Sequence, residues 1–155
     1  MSQLADIQLL SYWIDGLAIR DIQRVDDDNQ PDAAVAPRVD WEMLRRKDNE
    51  MEHLLRMRIR FGSPKAAGVS GSLELSGVFA ATGERPPDNW HVLMAYNAPA
   101  ILYGIARGVL ASLTSQTQEG LYLLPAVNLV EIARRRERRR RHLEPGTAQP
   151  DARDR

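Results

Sequence analysis

The segment Asn97–Thr117, NAPAILYGIARGVLASLTSQT, constrains the fold more than any other stretch, because it has the helical period and almost no polar face. Ala98, Ile101, Leu102, Ile105, Val109 and Leu113 recur at steps of three and four residues. Tyr103, Ala106, Leu110 and Ala111 carry apolar character round to the sides, and Arg107 is its only charge. Pro99 suits a first turn, where its missing N–H has no partner to lose. Such a helix needs cover on more than one side. Gly104, Gly108 and Ser112, at four-residue steps, form a stripe that another backbone can approach closely. A sheet covers one face; a second helix and loops of the same chain, or another copy, must cover the rest. We expect a homo-oligomer with Ile101, Gly104, Ile105, Gly108 and Ser112 at its interface.

At 155 residues the chain has room for one domain with a modest core. Cysteine is absent, which excludes a disulfide framework and a thiolate metal site. The start, MSQLADIQ, lacks the basic-then-apolar layout of a secretory signal, and no uncharged apolar run reaches the roughly 20 residues of a membrane span. A cytoplasmic protein without membrane insertion is expected. The zero net charge hides an asymmetry. Residues 1–133 carry 12 Lys and Arg against 17 Asp and Glu, net −5; residues 134–155 carry 9 Arg against 4 acids, net +5.

Strands come first and helices last. Leu9–Ile22 is rich in aromatic and β-branched residues and is expected as a strand broken at Gly16. Asp26–Pro37 is a polar loop. Val39–Leu44 alternates, and Met51–Phe61 alternates better: Met51, His53, Leu55, Met57, Ile59 and Phe61 share one face, with Arg56, Arg58 and Arg60 on the other. Gly62–Gly68 is a turn-rich connection, and Val69–Gly83 a fourth strand with Gly77 marking a bulge or a close approach. After the break ERPPDNW comes the opening helix. Leu121–Leu124 is an apolar run in a segment that is neither strand nor helix, so it is either a core plug or an interaction surface. Asn128 and Glu131 have capping-box spacing and start a second helix at Leu129. The order argues for an α+β fold: a four-stranded antiparallel sheet, a long helix and a shorter C-terminal helix.

Conventional catalytic chemistry is missing. His53, His91 and His142 have no ligand-like spacing, and His53 fits a satisfied, half-buried histidine. DDDNQPD lacks the central glycine of a calcium loop and has Pro37 where the bidentate Glu should stand. GSPKAAG lacks the Gly-Lys-Ser/Thr of a phosphate loop, and GVSGS the final glycine of a nucleophile elbow. A binding protein without metal or cofactor is expected, and not an enzyme.

From Gly77 onward the motifs resemble those of the SecB family of bacterial protein-export chaperones. GVF (Gly77–Phe79) stands at the end of the fourth strand. PAILYGIAR (Pro99–Arg107) takes the place of the family's Pro-containing segment at the long helix, and PAVNL (Pro125–Leu129) that of the Pro-Val-Asn motif closing its crossover. The likeness runs from about Leu9 to Ala133. It implies an ATP-independent holding chaperone, a tetramer built as a dimer of dimers with its long helices between two sheets. One SecB-like domain would cover residues 1–144, followed by a disordered tail over 145–155.

The resemblance also implies apolar grooves for unfolded polypeptides between crossover and sheet. Here they would be lined by Leu121, Tyr122, Leu123, Leu124, Val127, Leu129 and Ile132, with Trp41 and Met43 from a strand. Asp15 and Glu74 lie near the strands where the family docks the SecA motor. Two roles follow: holding preproteins for export, or chaperoning the antitoxin of a toxin–antitoxin pair. Nucleic-acid binding through RRRERRRRH, with seven arginines in eight residues, is a candidate of another class. No aromatic residue interleaves these arginines and the body is acidic, so nucleic acid is the least expected partner. Glu137 is spaced to pair with Arg141, but like charges should fray this helix beyond about Arg136.

Overall fold

In a computed structural model, residues 6–22, 36–45, 49–62, 68–117 and 120–143 are described, with backbone alone at 21–22 and 140–143. The interiors of the loops expected at Asp26–Pro37 and Gly62–Gly68, the tail over 145–155 and the Glu137–Arg141 pair lie outside the described residues.

Alternation along β3 (Glu52–Phe61) decides which side of the sheet is buried. Leu55, Met57, Ile59 and Phe61 point inward, while Arg56, Arg58 and Arg60 point out to solvent. The antiparallel sheet has the order β1 (Ile7–Ile22), β4 (Gly68–Ala81), β3, β2 (Arg38–Arg45). A single row, Ile14–Leu75–Met57–Trp41, crosses all four strands on the inner side. β1 shifts register twice, between Leu9 and Ser11 and between Ile14 and Gly16, so the expected break at Gly16 is a bulge. Gly77 is a close approach and not a bulge. It pairs in unbroken register with Leu55, and an added Cβ would lie 3.0 Å from Leu9 Cδ1 and 3.2 Å from Leu102 Cδ1.

The helical segment starts earlier than its composition suggests. α1 (Trp90–Val92) passes through a π turn at Leu93–Asn97 into α2 (Ala98–Thr114). Trp90, the last residue of the Pro-rich break, is buried. Pro99 is therefore not at a free helix start. It lacks the N–H that would bond back to the Ala95 carbonyl, and the π turn just upstream, in which the Ala98 N–H reaches back five residues to Leu93, absorbs the irregularity. Trp90, Met94, Ala98, Leu102, Ala106, Leu110 and Thr114 form the buried stripe, one residue every four. Ile101, expected at an interface between copies, and Leu113 are turned outward. Small Ala98 and Ala106 and the bare Cα of Gly77 let the backbone settle on the buried stripe.

Residues 120–128 have no regular structure, yet they are held to α2 by side chains. The Tyr122 N–H donates to Thr114 Oγ1 (2.8 Å), Arg107 Nε to the Leu124 carbonyl (2.9 Å) and the Tyr103 hydroxyl to the Pro125 carbonyl (2.6 Å). This crossover thus runs back along α2 toward its N-terminus. Leu124 is fully buried, and the Tyr122 ring lies 5.3 Å from that of Phe61. α3 (Leu129–Leu143) begins with the expected cap, the Glu131 N–H donating to Asn128 Oδ1 at 3.0 Å. It continues past Arg136 through Leu143, which corrects the expected fraying. Glu131 pairs with Arg135 and Asp40 with Arg136, offsetting part of the repulsion, and the helix C-terminus favours cations.

His53 ties β3 to the helical segment. The Trp90 indole N–H donates to its Nδ1 at 3.3 Å, and the two rings meet edge-on at 5.7 Å. Burial, with Arg45 adding, lowers the His53 pKa below its ordinary 6.5.

Two outcomes follow from this packing. Leu124→Ser should lower unfolding free energy by about 3–5 kcal/mol, by analogy with buried Leu truncations, and Leu123→Ser by less than about 0.5 kcal/mol; chemical denaturation separates the two. For His53 the unfolded chain takes up a proton before the folded one, so stability falls as pH drops below 6.5 and through the lower folded value. Melting temperature should therefore fall less between pH 7 and 5 in His53→Gln than in the parent, and equal slopes would refute this role.

Candidate functional site

One helix cannot cover a four-stranded face, and apolar surface remains on both flanks of α2. On the β2 flank, Trp41 and Met43 floor an open pocket of about 350 Å³. Ala95 and Tyr96 of the π turn form one wall, and Ala133, Arg136 and Glu137 of α3 the other. The indole of Trp41 is buried, and the Arg136 guanidinium carbon sits 5.0 Å from its ring centre. The Arg136 guanidinium also pairs with Asp40.

The expected groove residues divide into three sets. Met43, Leu121 and Leu123 present open apolar surface, 38%, 58% and 63% exposed. Val127, Leu129 and Ile132 are half-buried against the core, while Tyr122 and Leu124 face inward. Alternate residues of this extended run point opposite ways, so Tyr122 and Leu124 plug the core while Leu121 and Leu123 stay exposed. Burial raises the pKa of Tyr122, and pushes that of Tyr103 up to about 12.

On the β1 flank, Tyr12, Ile14 and Leu17 share the inner face and remain 41–49% exposed. Beside them α2 turns outward Ile101, Gly104, Gly108 and Ser112, with Ile105 half-buried. An added Cβ at Gly104 or Gly108 would meet nothing within 4 Å. The stripe expected at an interface is therefore open surface in the single chain.

The outer face of the sheet is a ladder of paired charges. Asp15 accepts hydrogen bonds from the Trp13 indole N–H (2.9 Å) and the Ser76 hydroxyl (2.5 Å). Glu74 pairs with Arg58 at 2.6 Å, and that hydrogen bond holds its carboxyl below the ordinary range. Arg56 pairs with Glu42 at 3.0 Å. Asp15 is thus held by two neutral donors and Glu74 by a cation.

Sequence reasoning missed Tyr96 and the particular place of Arg136. The four-residue step from Trp90 to Met94 to Ala98 was a legible sign that the helix starts early and brings Tyr96 with it. Nothing in sequence spacing joins Arg136 to Trp41. Among the described residues, no three His, Asp or Glu cluster to hold a metal, and no helix is long and apolar enough to cross a membrane.

No protein-family model matches the sequence, and no curated protein does. Among solved structures the chain is similar to a Mycobacterium tuberculosis SecB-like chaperone in complex with a ChAD peptide from the HigA1 antitoxin. The TM-score is 0.55 at 11% identity, covering 79% of this chain and 91% of that one. The sheet order, the long helix and the short C-terminal helix are thus a SecB-like α+β fold.

Proposed function

We propose that the protein is an ATP-independent holding chaperone, not an enzyme, that binds an unfolded polypeptide in the apolar groove beside α2. The observation that carries this is apolar surface left open in two places: Leu121 and Leu123 on the crossover, and Met43 in a pocket floored by Trp41. Surfaces of this kind mark sites of interaction. The likeness in fold to a chaperone solved with a bound peptide supports the same reading. Its place of action would be the cytoplasm.

Of the two roles the resemblance implies, an antitoxin client is better supported than preprotein export. The similar structure holds an antitoxin peptide. The two acids that would dock a SecA motor are engaged by Trp13, Ser76 and Arg58. The assembly we propose is a dimer of dimers in which the β1 flank and the Gly104–Gly108 stripe meet another copy.

Both proposals are open to direct measurement. Replacing Leu121 and Leu123 with Ser should weaken suppression of aggregation of a denatured model protein several-fold while leaving the melting transition within a degree or two, since exposed positions contribute little to stability. Unchanged holding activity would remove the groove. Light scattering should give about four chain masses for the parent, in line with closed symmetric assembly. Gly108→Leu, which has room in the single chain, should give smaller species, and a monomeric parent would overturn the assembly.

A further inference from the structure

The pocket wall made by Ala95 and Tyr96 belongs to the least regular part of the helical segment. α1 is only three residues long, the π turn at Leu93–Asn97 follows it, and Pro99 leaves a hydrogen bond missing just beyond. A π turn inside a helix is a place where one length of helix can pivot on the next. Residues 90–97 therefore form a short arm jointed to α2, and whatever keeps the arm down decides the shape of the pocket. Trp90 and Met94 hold it by apolar burial, and a polar tie adds to them: the Trp90 indole N–H donates to His53 Nδ1 at 3.3 Å.

That tie exists only while His53 is neutral. A protonated imidazole carries an N–H on both nitrogens and can accept at neither. The indole would then turn a donor, and the positively polarised edge of its ring, toward a cation whose ring centre lies 5.7 Å away. The groups around the imidazole oppose its charge from each side. The helical segment presents Trp90, with His91 beside it exposed; β4 presents the apolar Phe79 in register, and β2 the cation Arg45, which pairs with Glu50 at 2.6 Å.

We propose that protonation of His53 releases this arm and opens the pocket, so that the protein holds apolar clients more tightly in acid. This regulation rests on the holding role proposed above. With the arm lifted, Trp90 and Met94 join Trp41 and Met43 as apolar surface within reach of a client. The direction follows from proton linkage. Under the arm, burial and Arg45 keep the His53 pKa below 6.5; once the arm lifts, the imidazole meets water and returns toward that ordinary value. The lifted state binds the proton better and is favoured as pH falls below 6.5. The bonds that hold the crossover to α2, from Tyr103, Arg107 and Thr114, lie beyond the joint and involve no histidine, so that side of the groove stays in place.

A labelled apolar peptide flanked by serines, without titratable side chains, tests this by fluorescence anisotropy on the full-length protein at pH 7.5 and pH 5.0. The parent should bind it about fivefold more tightly at pH 5.0 while keeping a cooperative melting transition. His53→Gln, which cannot take up the proton, should bind alike at both values, and His91→Gln should keep the parent's response. Trp90→Phe retains an apolar ring but has no N–H to tie, so at pH 7.5 it should already bind more tightly than the parent. Equal or weaker binding by the parent at pH 5.0, or a response that survives in His53→Gln, would overturn the proposal and leave the holding role standing. So would parent-like affinity of Trp90→Phe at pH 7.5, even where His53→Gln fails to fold. A gain at pH 5.0 that comes with loss of the melting transition would assign it to global unfolding and overturn the proposal too. Failure of the peptide to bind at either pH would overturn both the regulation and the holding role.

Discussion

The structure depends on a mismatch of widths. Four strands about 4.8 Å apart present a face roughly 15–20 Å across, and a helix with its side chains is only about 10–12 Å wide. α2 therefore lies along the middle of the sheet, where Gly77 admits Leu102 and the row Leu73, Leu75, Leu55 and Met57 is fully buried. The margins must be dealt with separately. On the β2 side the chain uses the crossover and α3. On the β1 side, among the described residues, Tyr12, Ile14 and Leu17 stay largely open.

Covering the β2 margin with a segment that has no regular structure raises the question of its backbone hydrogen bonds, because buried peptide groups must be paired. α2 supplies the partners from its own side chains. Thr114 is the most economical: its hydroxyl donates to the Leu110 carbonyl at 2.7 Å and accepts from the Tyr122 N–H at 2.8 Å. Arg107, the helix's one charge, is turned to the Leu124 carbonyl. These bonds fix which residues of the crossover face inward, and so leave Leu121 and Leu123 outside. Without this polar anchoring the same leucines would collapse into the core.

What could be read in the sequence was set by local period. The alternation of β3 gave its faces without ambiguity, because its arginines and apolar residues keep strict parity from Leu55 to Phe61. The two-sided demand of α2 was equally legible, and Ile101, Gly104, Ile105, Gly108 and Ser112 were expected at an outer interface. Which of two apolar stripes, Ile101–Ile105–Val109–Leu113 or Ala98–Leu102–Ala106–Leu110, meets the sheet is not fixed by period alone. The choice is made by the sheet, through Gly77 and the small alanines, which are contacts between distant residues. The π turn was hidden for a similar reason, since Pro99 signals a helix start and only packing of Trp90 and Met94 carries the helix through it. The split of Leu121–Leu124 needed the hydrogen bonds from Tyr103, Arg107 and Thr114, and Arg136 needed the register of β2.

The two faces of the sheet divide the chemistry of the molecule. On the outer face β3 sends its arginines to the carboxylates of its neighbours, Arg56 to Glu42 and Arg58 to Glu74, so the charges are largely spent on each other. Exposed pairs of this type stabilise the fold only slightly, but they leave the surface without a strong field of either sign. The inner face carries the apolar surface and, at the β2 edge, one cation that belongs to neither ladder. Asp40 points outward and Trp41 inward, so Arg136 can touch both only by wrapping the edge of the sheet. That edge is where a basic helix, an acidic sheet margin and an aromatic floor meet.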